Sequence, residues 1–439
     1  MRIGYLAAGA AGMYCGACLH DNTLAAALLD LGEDVVLAPI YTPLRTDETD
    51  VSVPRVFIGG INAYLQQHIP LLRRTPRWLD GWLDSPRLLR LVARRGVSVD
   101  AAKLGPMTVS MLQGQHGAQR KELDKLVDWH IDEVRPGQPR LSNAMMVGLA
   151  RRIAEKCGPP VVCSLAGEDI FLEKLPAPYY QQARALLRER IADVDALTAL
   201  NQYYARRMGE YLSVSPEKIR VIPHGLNLAG HGDRTPRRSD APQRVGYLAR
   251  VCADKGLHLL VDACAALASR RGAPIGLHAA GYLGAADRRY LDDLQRKAAT
   301  GPLAGRFTYH GELSREQKIA FLQSLDVFST PTIYAESKGL PLLEAWANGV
   351  PAAVPDHGAF PELVTAAGAG VLHRPGDAES LAEALAELLD DPQRAAALGR
   401  AGLAYVQTHH DARKMAERTL ALYRELVGGV KPAGVAAGT

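Results

Sequence analysis

Short apolar runs alternate with amphipathic helical stretches through the first half of the chain. Strands are predicted over four such runs, at residues 3–7, 35–40, 161–165 and 197–201. Each run is brief and continuously apolar, which is typical of parallel strands covered on both faces. Between the first two runs, Leu24, Leu28 and Leu31 share one face of a helix predicted over 22–31. This order predicts a doubly wound α/β domain.

The same alternation resumes after residues 228–243, a stretch rich in glycine, proline, arginine and aspartate that has no periodicity and indicates a linker. Beyond it, strands are predicted at residues 244–248, 275–280, 306–309 and 350–354. A helix is predicted with an apolar face running from Leu257 to Leu267. The chain after Gly376 is predicted to be helical, and residues 430–439 to form a frayed tail.

The domain organisation follows from these elements. We predict an N-terminal Rossmann-like domain over 1–227, a linker over 228–243 and a C-terminal Rossmann-like domain over 244–410. A helix within 411–439 is expected to pack back on the N-terminal domain. Because doubly wound folds bind ligands at the carboxyl ends of their strands, we expect the two domains to face across a cleft that holds the site.

Composition narrows the class of protein. The 439 residues suffice for two or three domains, and the net charge of +4 is too small for a phosphate-driven nucleic-acid binder. Six cysteines are too sparse for a secreted disulfide framework, so we expect a reducing, cytoplasmic compartment. The uncharged stretch 3–19 contains four glycines, which makes it a poor signal peptide or membrane span.

The most informative segment for chemistry is 334–345, Tyr-Ala-Glu-Ser-Lys-Gly-Leu-Pro-Leu-Leu-Glu-Ala. Pro341 is tolerated in a first helical turn, so we expect the amides that begin at Gly339 to bind an anion at a helix N-terminus. Glu336 and Glu344 would lie beside that anion and accept hydrogen bonds from sugar hydroxyls. A phosphate next to a polyol indicates a nucleotide sugar.

These motifs resemble a known family. A glutamate, seven residues and a second glutamate, followed by Ala-Trp-Ala-Asn-Gly-Val-Pro at 345–351, are similar to the motif of glycosyltransferase family 4. That family also carries an arginine, four residues and Lys-Gly, which 250–256 match. Ile-Pro-His-Gly-Leu-Asn at 222–227 resembles the element that ends its first domain. The resemblance covers nearly the whole chain and is strongest over 240–370.

The resemblance implies a GT-B fold and transfer of a hexosyl group from a nucleoside-diphosphate sugar with retention of anomeric configuration. Arg250 and Lys255 are expected to bind the leaving phosphates, since two cations on one loop neutralise a departing diphosphate. Glu336 is expected to hold hydroxyls of the donor sugar and Glu344 the ribose. No metal ion or other cofactor is expected, and the donor substrate is expected to be a UDP-, GDP- or ADP-sugar, of which a UDP-sugar is favoured.

Backbone groups are also assigned to the donor by this resemblance. Gly339 and Leu340 would supply amides to the phosphates. Gly9 and Gly12 would belong to a glycine loop that faces the donor, and the backbone around Gly311 would contact the base. We therefore expect a donor site built largely from loops and helix ends.

Two departures from the family pattern stand out. The family often carries His-Gly after a strand near the middle of its first domain, but this chain has Ala166-Gly167 there. Glu168 and Asp169 are the nearest polar candidates to fill that space. Lys338 stands where the family commonly has an aromatic residue, which predicts a more cationic donor pocket.

Acceptor binding has weaker signals. His20 and Asn22 are interpreted either as acceptor ligands or as an ordinary pair at a helix start. Residues 71–95 hold seven arginines against two aspartates, interleaved with two tryptophans. This segment is predicted either to rest on anionic lipid at the inner face of the membrane or to form a helical cover on the acceptor side.

Three further patterns are assigned no metal. Cys15 and Cys18 have redox or zinc spacing but no second ligand pair nearby, so we interpret them as two loop thiols. The Asp-Val-Asp at 193–195 is interpreted as a cap between a helix and a strand. The His-His-Asp at 409–411 is interpreted as a solvated surface, because adjacent side chains point to different sides.

Two rival functions stay open from the sequence: a nucleotide-sugar epimerase and a non-catalytic nucleotide-sugar-binding protein, the latter supported by the missing histidine. The acceptor is expected to be a saccharide, a lipid-linked sugar or a small molecule. No nucleic-acid partner is expected, and the oligomeric state is open.

Overall fold

Strands and helices alternate along the chain in the order that the apolar pattern predicts. The computed structural model describes residues 1–9, 15–54, 56, 101–232, 242–272 and 274–429. Contacts group the chain into an N-terminal unit, 1–200, 205–222 and the residues from Met415 onward, and a C-terminal unit, 201–204 and 223–414. The boundary predicted after residue 227 lies near the change of unit after Ile222. Most of the predicted linker falls outside the described residues.

In the described part of the N-terminal unit, six parallel strands form one sheet in the order β2-β1-β3-β4-β5-β6. They are β1 Arg2–Ala7, β2 Asp34–Pro39, β3 Gln138–Leu141, β4 Val162–Ser164, β5 Ala196–Ala199 and β6 Ile219–Val221. Ile3 pairs with Val35 on one side and with Gln138 on the other. The four strands predicted in this half are confirmed as β1, β2, β4 and β5, whereas β3 and β6 were not predicted.

The helices described before Ile222 are Gly16–Asp30, Ala101–Leu112, Arg120–Trp129, Ala150–Cys157, Glu168–Leu172, Tyr179–Arg190 and Gln202–Leu212. The first of them begins six residues earlier than predicted, because glycine, alanine and cysteine fill its first turn and carry no apolar period. Leu24 and Leu28 are buried on its inner face, as predicted, and Leu31 is the residue that ends it.

In the described part of the C-terminal unit, four parallel strands form a sheet in the order β10-β7-β8-β9, and β11 pairs with β12. They are β7 Gln243–Leu248, β8 Ile275–Ala280, β9 Phe307–Tyr309, β10 Val327–Phe328, β11 Ala353–Pro355 and β12 Val371–His373. The strands predicted at 244–248, 275–280 and 306–309 are confirmed. The strand predicted at 350–354 begins later, at Ala353, while β10 and β12 were not predicted.

The helices described after Pro223 are Leu257–Arg271, Arg288–Ala299, Arg315–Gln323, Leu340–Trp346, Phe360–Ala367, Ala378–Asp390, Pro392–His409 and Ala412–Gly429. The core of this unit packs Val245 and Val327 from the sheet against Leu260 and Leu385 from two helices. The amphipathic face predicted beyond Gly376 is confirmed, since its leucines are buried: Leu381, Leu385, Leu388 and Leu389.

A buried arginine ties the N-terminal unit together. Arg140 on β3 is 2% exposed, and its guanidinium donates to the Ser164 hydroxyl (2.7 Å) and the Thr198 hydroxyl (3.3 Å). It also donates to the Tyr423 hydroxyl (3.1 Å) and lies 5.1 Å from the centre of the Tyr5 ring. Since a buried cation is costly unless it is hydrogen-bonded, these contacts favour an arrangement that keeps β1, β4, β5 and the last helix around β3.

The last helix, Ala412–Gly429, is the element for which the sequence predicts packing on the N-terminal domain. From Met415 onward it belongs to the N-terminal unit. Met415 and Tyr423 are buried, and Glu425 accepts a hydrogen bond from Arg220 at 2.6 Å. None of the helices within the described ranges combines the length and the apolar content that crossing a bilayer requires. Residues 71–95 lie outside those ranges.

Two adjacent leucines test the packing of the first helix. Leu28 is fully buried and Leu29 is 39% exposed. We expect Leu28→Ala to lower the free energy of unfolding by about 2–5 kcal/mol, because it leaves a cavity, and Leu29→Ala to change it by less than about 0.5 kcal/mol. Urea unfolding followed by circular dichroism measures both. Equal losses in the two variants would contradict the packing described.

Candidate functional site

The carboxyl ends of the strands in the second sheet carry most of the predicted donor-side residues. β7 ends at Leu248 and is followed by Arg250. β9 ends at Tyr309 and is followed by Gly311, which has a φ of +73°. A loop after β10 leads to Glu336. Because these strands are parallel, the three segments leave the sheet at the same edge.

The turn that carries Lys255 packs directly against the loop after β10. Gly256 has a φ of +74°, and a Cβ built on it would lie 1.8 Å from the Pro331 carbonyl oxygen. The Ile333 amide donates to the Asp254 carbonyl at 3.0 Å. Only glycine permits this approach, so the Lys-Gly pair of the motif places the lysine beside the glutamate of the other loop.

Glu336 is held by four hydrogen-bond donors. Its Oε2 accepts from Lys255 Nζ at 2.7 Å and from the Tyr334 hydroxyl at 3.2 Å. Its Oε1 accepts from the backbone amides of Ser337 (3.1 Å) and Lys338 (3.2 Å). The Glu336 side chain is 8% exposed and that of Lys255 17%. Since a carboxylate has about four acceptor positions, this one is fully occupied.

The electrostatics keep this pair ionised. Burial raises the pKa of Glu336, but the charges of Lys255 and Lys338 and the hydrogen bonds outweigh it and lower that pKa to about 2. Burial lowers the pKa of Lys255, yet Glu336 and Tyr334 raise it above its ordinary value. Burial and the Glu336 charge both raise the pKa of Tyr334, so its hydroxyl stays a neutral donor.

A second glycine supports Glu336 from behind. Gly358 has a φ of +68°, and a Cβ on it would lie 2.4 Å from the Glu336 amide nitrogen and 2.5 Å from its carbonyl oxygen. The Ala359 amide donates to that carbonyl at 2.7 Å. Sequence analysis missed this contact, although a glycine in the polar stretch Asp-His-Gly is a turn signal that would have indicated a constrained backbone.

The second predicted carboxylate is also paired. Glu344 lies in the helix Leu340–Trp346 and accepts from Lys318 Nζ at 2.5 Å. The side chains are 7% and 12% exposed. Asn348 donates to the Glu344 carbonyl at 2.9 Å and lies 2.9 Å from the His231 ring nitrogen Nδ1. Lys318 is a site residue that the sequence did not predict.

The start of this helix follows the sequence prediction. Gly339 is the residue before the helix and has a φ of +71°, Leu340 is the first helical residue, and Pro341 stands in the first turn. The Leu343 amide is the one that bonds back to the Gly339 carbonyl, at 3.1 Å. The amides of Gly339 and Leu340 precede it, where a helix leaves N–H groups without intrahelical acceptors.

A short segment of the C-terminal unit, 201–204, braces the same loop. Asn201 is 4% exposed, and its Nδ2 donates to the Ser337 carbonyl at 2.7 Å. Glu362 accepts from the backbone amides of Gln202 (2.9 Å) and Tyr203 (2.6 Å). The sequence predicts a strand that ends at Asn201, and it predicts no role in the site for residues 201–204.

The Pro-His-Gly element lies close to the same cations. Burial, together with the charges of His410, Lys338 and Lys318, lowers the pKa of His224 to about 3, so its ring is neutral. The His410 Nδ1 lies 2.7 Å from the His224 carbonyl oxygen. His410 is only 3% exposed, so the prediction of a solvated surface at 409–411 is wrong for this residue. The His410 ring is buried because it makes this hydrogen bond to the His224 backbone.

Arg250 is the most exposed of the predicted donor-side cations. Its carbonyl accepts from the Tyr247 hydroxyl at 2.9 Å, which fixes the backbone of the loop. Burial lowers the pKa of its guanidinium, but Cys252, Asp287 and Tyr334 raise it by a larger amount, so this pKa lies above its ordinary value. Tyr334 is thus an electrostatic neighbour of both motif cations, Arg250 and Lys255.

In the N-terminal unit, the glycine turn is present as far as the structure describes it. Gly9 has a φ of +80°, and a Cβ on it would lie 2.1 Å from the Thr42 carbonyl oxygen. Glycine is therefore required at this close approach. Gly12 lies outside the described residues.

The predicted acceptor-side pair lies inside a helix rather than at its start. Asn22 is fully buried, donates to the Thr49 carbonyl (2.9 Å) and accepts from the Val51 amide (3.0 Å). These bonds hold the loop after β2. His20 is 6% exposed. The two side chains are part of the packing of the first helix.

The two acids near the expected histidine have structural partners. Glu168 is 4% exposed and accepts from the amides of Ala144 and Ala166, both at 2.8 Å. Asp169 is 5% exposed and accepts from Arg207 Nε at 3.1 Å. Both oxygens of Glu168 are committed to the backbone, so this side chain shapes the loop that carries Ala166.

The Asp-Val-Asp pattern is also used for structure. Asp193 accepts from Arg151 at 3.1 Å, and Asp195 accepts from the Val161 amide at 2.7 Å. Among the residues that the structure describes, no group of three histidine, cysteine, aspartate or glutamate side chains is arranged to hold a metal ion.

Comparison with known proteins places the chain. The family described as glycosyl transferases group 1 matches residues 233–404. The lipopolysaccharide core biosynthesis mannosyltransferase LpsB of Rhizobium meliloti is 32% identical over 247 residues, which are 52% of this chain and 69% of LpsB. The chain belongs to the group 1 glycosyltransferases. It is an enzyme of this class.

Two further similarities of this group 1 glycosyltransferase concern its sequence and its fold. A GDP-mannose-dependent monoacylated alpha-(1-6)-phosphatidylinositol monomannoside mannosyltransferase of Corynebacterium glutamicum is 29% identical over 292 residues, 63% of this chain and 72% of that enzyme. Anabaena HepE, solved in complex with UDP and glucose, superposes with a TM-score of 0.65 at 17% identity, covering 97% of this chain and 100% of HepE. The fold is GT-B, as predicted.

A pair of glycines tests the support behind Glu336. Gly358→Ala introduces a Cβ against the Glu336 backbone, whereas Gly368→Ala has the same positive φ and no atom within 4 Å. We expect Gly368→Ala to cost about 1–2 kcal/mol in unfolding free energy, the price of a left-handed alanine, and Gly358→Ala to cost clearly more. Urea unfolding of both variants checks this, and equal costs would show that the close approach does not constrain the loop.

The depressed pKa of Glu336 predicts a pH dependence of stability. A carboxyl whose pKa falls from 4.5 to about 2 on folding stabilises the protein above pH 4.5 by about 3 kcal/mol. That contribution is lost as the pH falls toward 2. We therefore expect the stability difference between wild type and Glu336→Gln to shrink between pH 5 and pH 3. The exposed Glu155→Gln is the control, and a similar change there would contradict the assignment.

Proposed function

We propose that this glycosyltransferase transfers a hexosyl group from a nucleoside-diphosphate sugar to an acceptor with retention of anomeric configuration, and without a metal ion. The observation that carries the proposal is the buried cluster of Lys255, Glu336 and Tyr334. It sets a cation and an anion side by side at the strand edge where doubly wound folds bind ligands.

Lys255 is suited to a leaving diphosphate. An ammonium group has three N–H donors, and one of them is used by Glu336 at 2.7 Å. A side-chain hydrogen bond with Tyr334 occupies a second, which leaves one donor for a phosphate oxygen. Arg250, on the same loop, adds a second permanent cation. These charges stabilise the negative charge that grows on the diphosphate as the glycosidic bond breaks, which is the role that a metal ion has in other enzymes.

Glu336 is suited to hydroxyls of the donor sugar, but only by exchange. Its four acceptor positions are filled, so a sugar hydroxyl must replace one donor. Of the two donors to Oε2, the Tyr334 hydroxyl is the uncharged one. Its hydrogen bond is 3.2 Å long, which equals that from the Lys338 amide and is the longest length among the four. Displacing Tyr334 keeps the ion pair with Lys255 intact, so the sugar would be oriented by a carboxylate that is already rigid.

The remaining donor contacts follow the family pattern. Glu344 would bind the ribose, with Lys318 holding its carboxylate in place at 2.5 Å. The Gly339 and Leu340 amides would bind phosphate oxygens, and Lys338 would add positive charge. The backbone at Gly311, at the end of β9, would contact the base.

The reaction proposed is a substitution on one face of the sugar. The bond between the anomeric carbon and the phosphate oxygen breaks, and a bond from the acceptor oxygen to the same carbon forms on the same face. The acceptor proton passes to the departing phosphate oxygen. Because no protein base is needed, electrostatic stabilisation by Lys255 and Arg250 carries most of the catalysis.

The donor base and the acceptor are the finer parts of the proposal. A UDP-sugar is the favoured donor from the family resemblance, and HepE, with the same fold, was solved with UDP and glucose. The Corynebacterium relative is named as GDP-mannose-dependent, which makes GDP-mannose the second candidate donor. The same name includes a phosphatidylinositol mannoside, which supports a lipid-linked acceptor. Contact of residues 71–95 with the cytoplasmic face of a membrane is part of this proposal.

Substitution of the ion pair tests the proposed chemistry. We expect Lys255→Met and Glu336→Gln each to lower kcat/KM for transfer or for donor hydrolysis by roughly 100-fold or more, since each removes charge that acts on the transition state. Each single variant leaves one buried charge without its partner and should also lower stability. The double variant removes both charges, so it should be more stable than either single variant and still be inactive. Lys297→Met, remote on an exposed ion pair with Asp262, is the control and should keep full activity.

The assay uses UDP-hexoses and GDP-mannose, each with and without EDTA. Unchanged turnover in EDTA supports metal independence, and loss of turnover that added Mg²⁺ restores would refute it. Epimerised donor formed without acceptor would favour the epimerase, and tight donor binding with no turnover would favour a binding protein. Wild-type activity in Lys255→Met would overturn the proposed site.

A further inference from the structure

Two cysteines stand at the start of the first helix, Gly16–Asp30. Cys15 is the residue before the helix, with extended backbone at φ −130° and ψ +130°. Its carbonyl accepts from the Leu19 amide at 2.9 Å, which closes the first turn. Cys18 is the third helical residue and points into the protein, with 2% exposure. The interpretation of both as loop thiols is therefore wrong for Cys18.

This placement brings the two side chains together. The residue before a helix and the third helical residue face each other, which is the geometry of the capping box. Helix geometry places Cα atoms three residues apart about 5 Å from each other, and a disulfide spans Cα atoms about 4.4–6.8 Å apart. The residues between them, Gly16 and Ala17, are small and leave the turn uncrowded.

The two thiols are in contact. A hydrogen bond between the Cys18 and Cys15 side chains is the first cause that raises the pKa of Cys18, and burial is the second. Cys15 is partly exposed, while Cys18 lies behind it. One sulfur is thus open to a reagent, and the other is held beside it.

The remaining cysteines lack this arrangement. Cys163, Cys252 and Cys264 are buried, and Cys157 is partly exposed at the end of its helix. Burial raises the pKa of Cys157 to about 11 and that of Cys264 to about 12. The pKa of Cys18 is raised as well, so what distinguishes the Cys15–Cys18 pair is its geometry, a partly exposed sulfur beside a buried one. All six cysteines lie in described ranges, and all six are thiols in this structure.

We propose that Cys15 and Cys18 form a reversible dithiol–disulfide site that reacts with small-molecule disulfides such as oxidised glutathione. The proposal rests on the helix geometry and on the split between an exposed and a buried sulfur. It is independent of the glycosyltransfer chemistry proposed for the C-terminal unit.

The exchange proceeds in two balanced steps. The Cys15 thiolate attacks one sulfur of the small disulfide, its S–S bond breaks, and one small thiolate leaves and takes up the proton that Cys15 released. The Cys18 thiolate then attacks the Cys15 sulfur of the mixed disulfide and expels the second small thiolate, which takes the Cys18 proton. The protein loses two electrons and two protons, and the small disulfide becomes two thiols.

Peptide mapping tests the proposal on the full chain. The protein is equilibrated with mixtures of reduced and oxidised glutathione, quenched with acid, alkylated in denaturant and digested with trypsin. Cys15 and Cys18 fall in the peptide 3–45, while Cys157 and Cys163 fall together in 157–174. We expect 3–45 to lose two hydrogens and resist alkylation, and 157–174 to stay doubly alkylated. The reduced chain takes six alkyl groups and the oxidised chain four.

Single substitutions distinguish the attacking role of Cys15 from the resolving role of Cys18. Cys18→Ser should accumulate one glutathione on Cys15, because the resolving thiol is gone. Cys15→Ser should keep all its thiols under the same conditions, and Cys157→Ser should oxidise at 3–45 as the wild type does. Added dithiothreitol should restore six alkylations in the wild type and five in each variant. Circular dichroism confirms that each variant is folded.

Any of three results would overturn the proposal. One is a wild-type chain that keeps six alkylatable thiols across the whole range of glutathione mixtures. The others are oxidation of 157–174 as readily as 3–45 and equal oxidation of Cys15→Ser and wild type, because either would show that the helix start confers no special reactivity.

Discussion

The candidate site depends on one ion pair held largely out of water. Lys255 and Glu336 come from loops after different strands, and removing both from water costs several kcal/mol per charge unless each is hydrogen-bonded. That cost explains why so much of the surrounding structure serves the pair. Tyr334 and two backbone amides donate the remaining hydrogen bonds to the Glu336 carboxylate. Gly256 and Gly358 let the loops approach closely. A charged pair organised in this way is rigid before any substrate arrives.

Much of the fold was predictable because parallel strands covered on both faces are apolar runs. The strands that escaped prediction are those that break this rule. β3, Gln138–Leu141, has the sequence Gln-Pro-Arg-Leu, and its buried arginine is held by three hydroxyl acceptors and one aromatic ring. β10 is two residues long. A pattern read along one chain carries no information about partners that meet only after folding.

The same limit applies to the residues of the site: those in a local motif were predictable, and those that meet only after folding were not. Glu336, Glu344 and Lys255 were predictable because their spacing matches a family motif, and Gly339 because proline marks a helix start. The bracing of Ser337 by Asn201 and the pairing of Glu344 with Lys318 join residues distant in sequence, so spacing did not indicate them. Conversely, the sequence made Glu168 a candidate site residue, but both of its carboxylate oxygens accept hydrogen bonds from backbone amides. Local polarity does not distinguish a ligand from a scaffold.

The route of the last helix has a practical consequence for dividing the protein. Because residues from Met415 onward complete the N-terminal unit, cutting the chain between the units yields two fragments that are both incomplete. The first fragment would lose the Tyr423 hydroxyl that faces the Arg140 guanidinium, and the second would carry a helix with no core to cover its buried face. An N-terminal fragment for crystallography or directed evolution should therefore have this helix fused after residue 222.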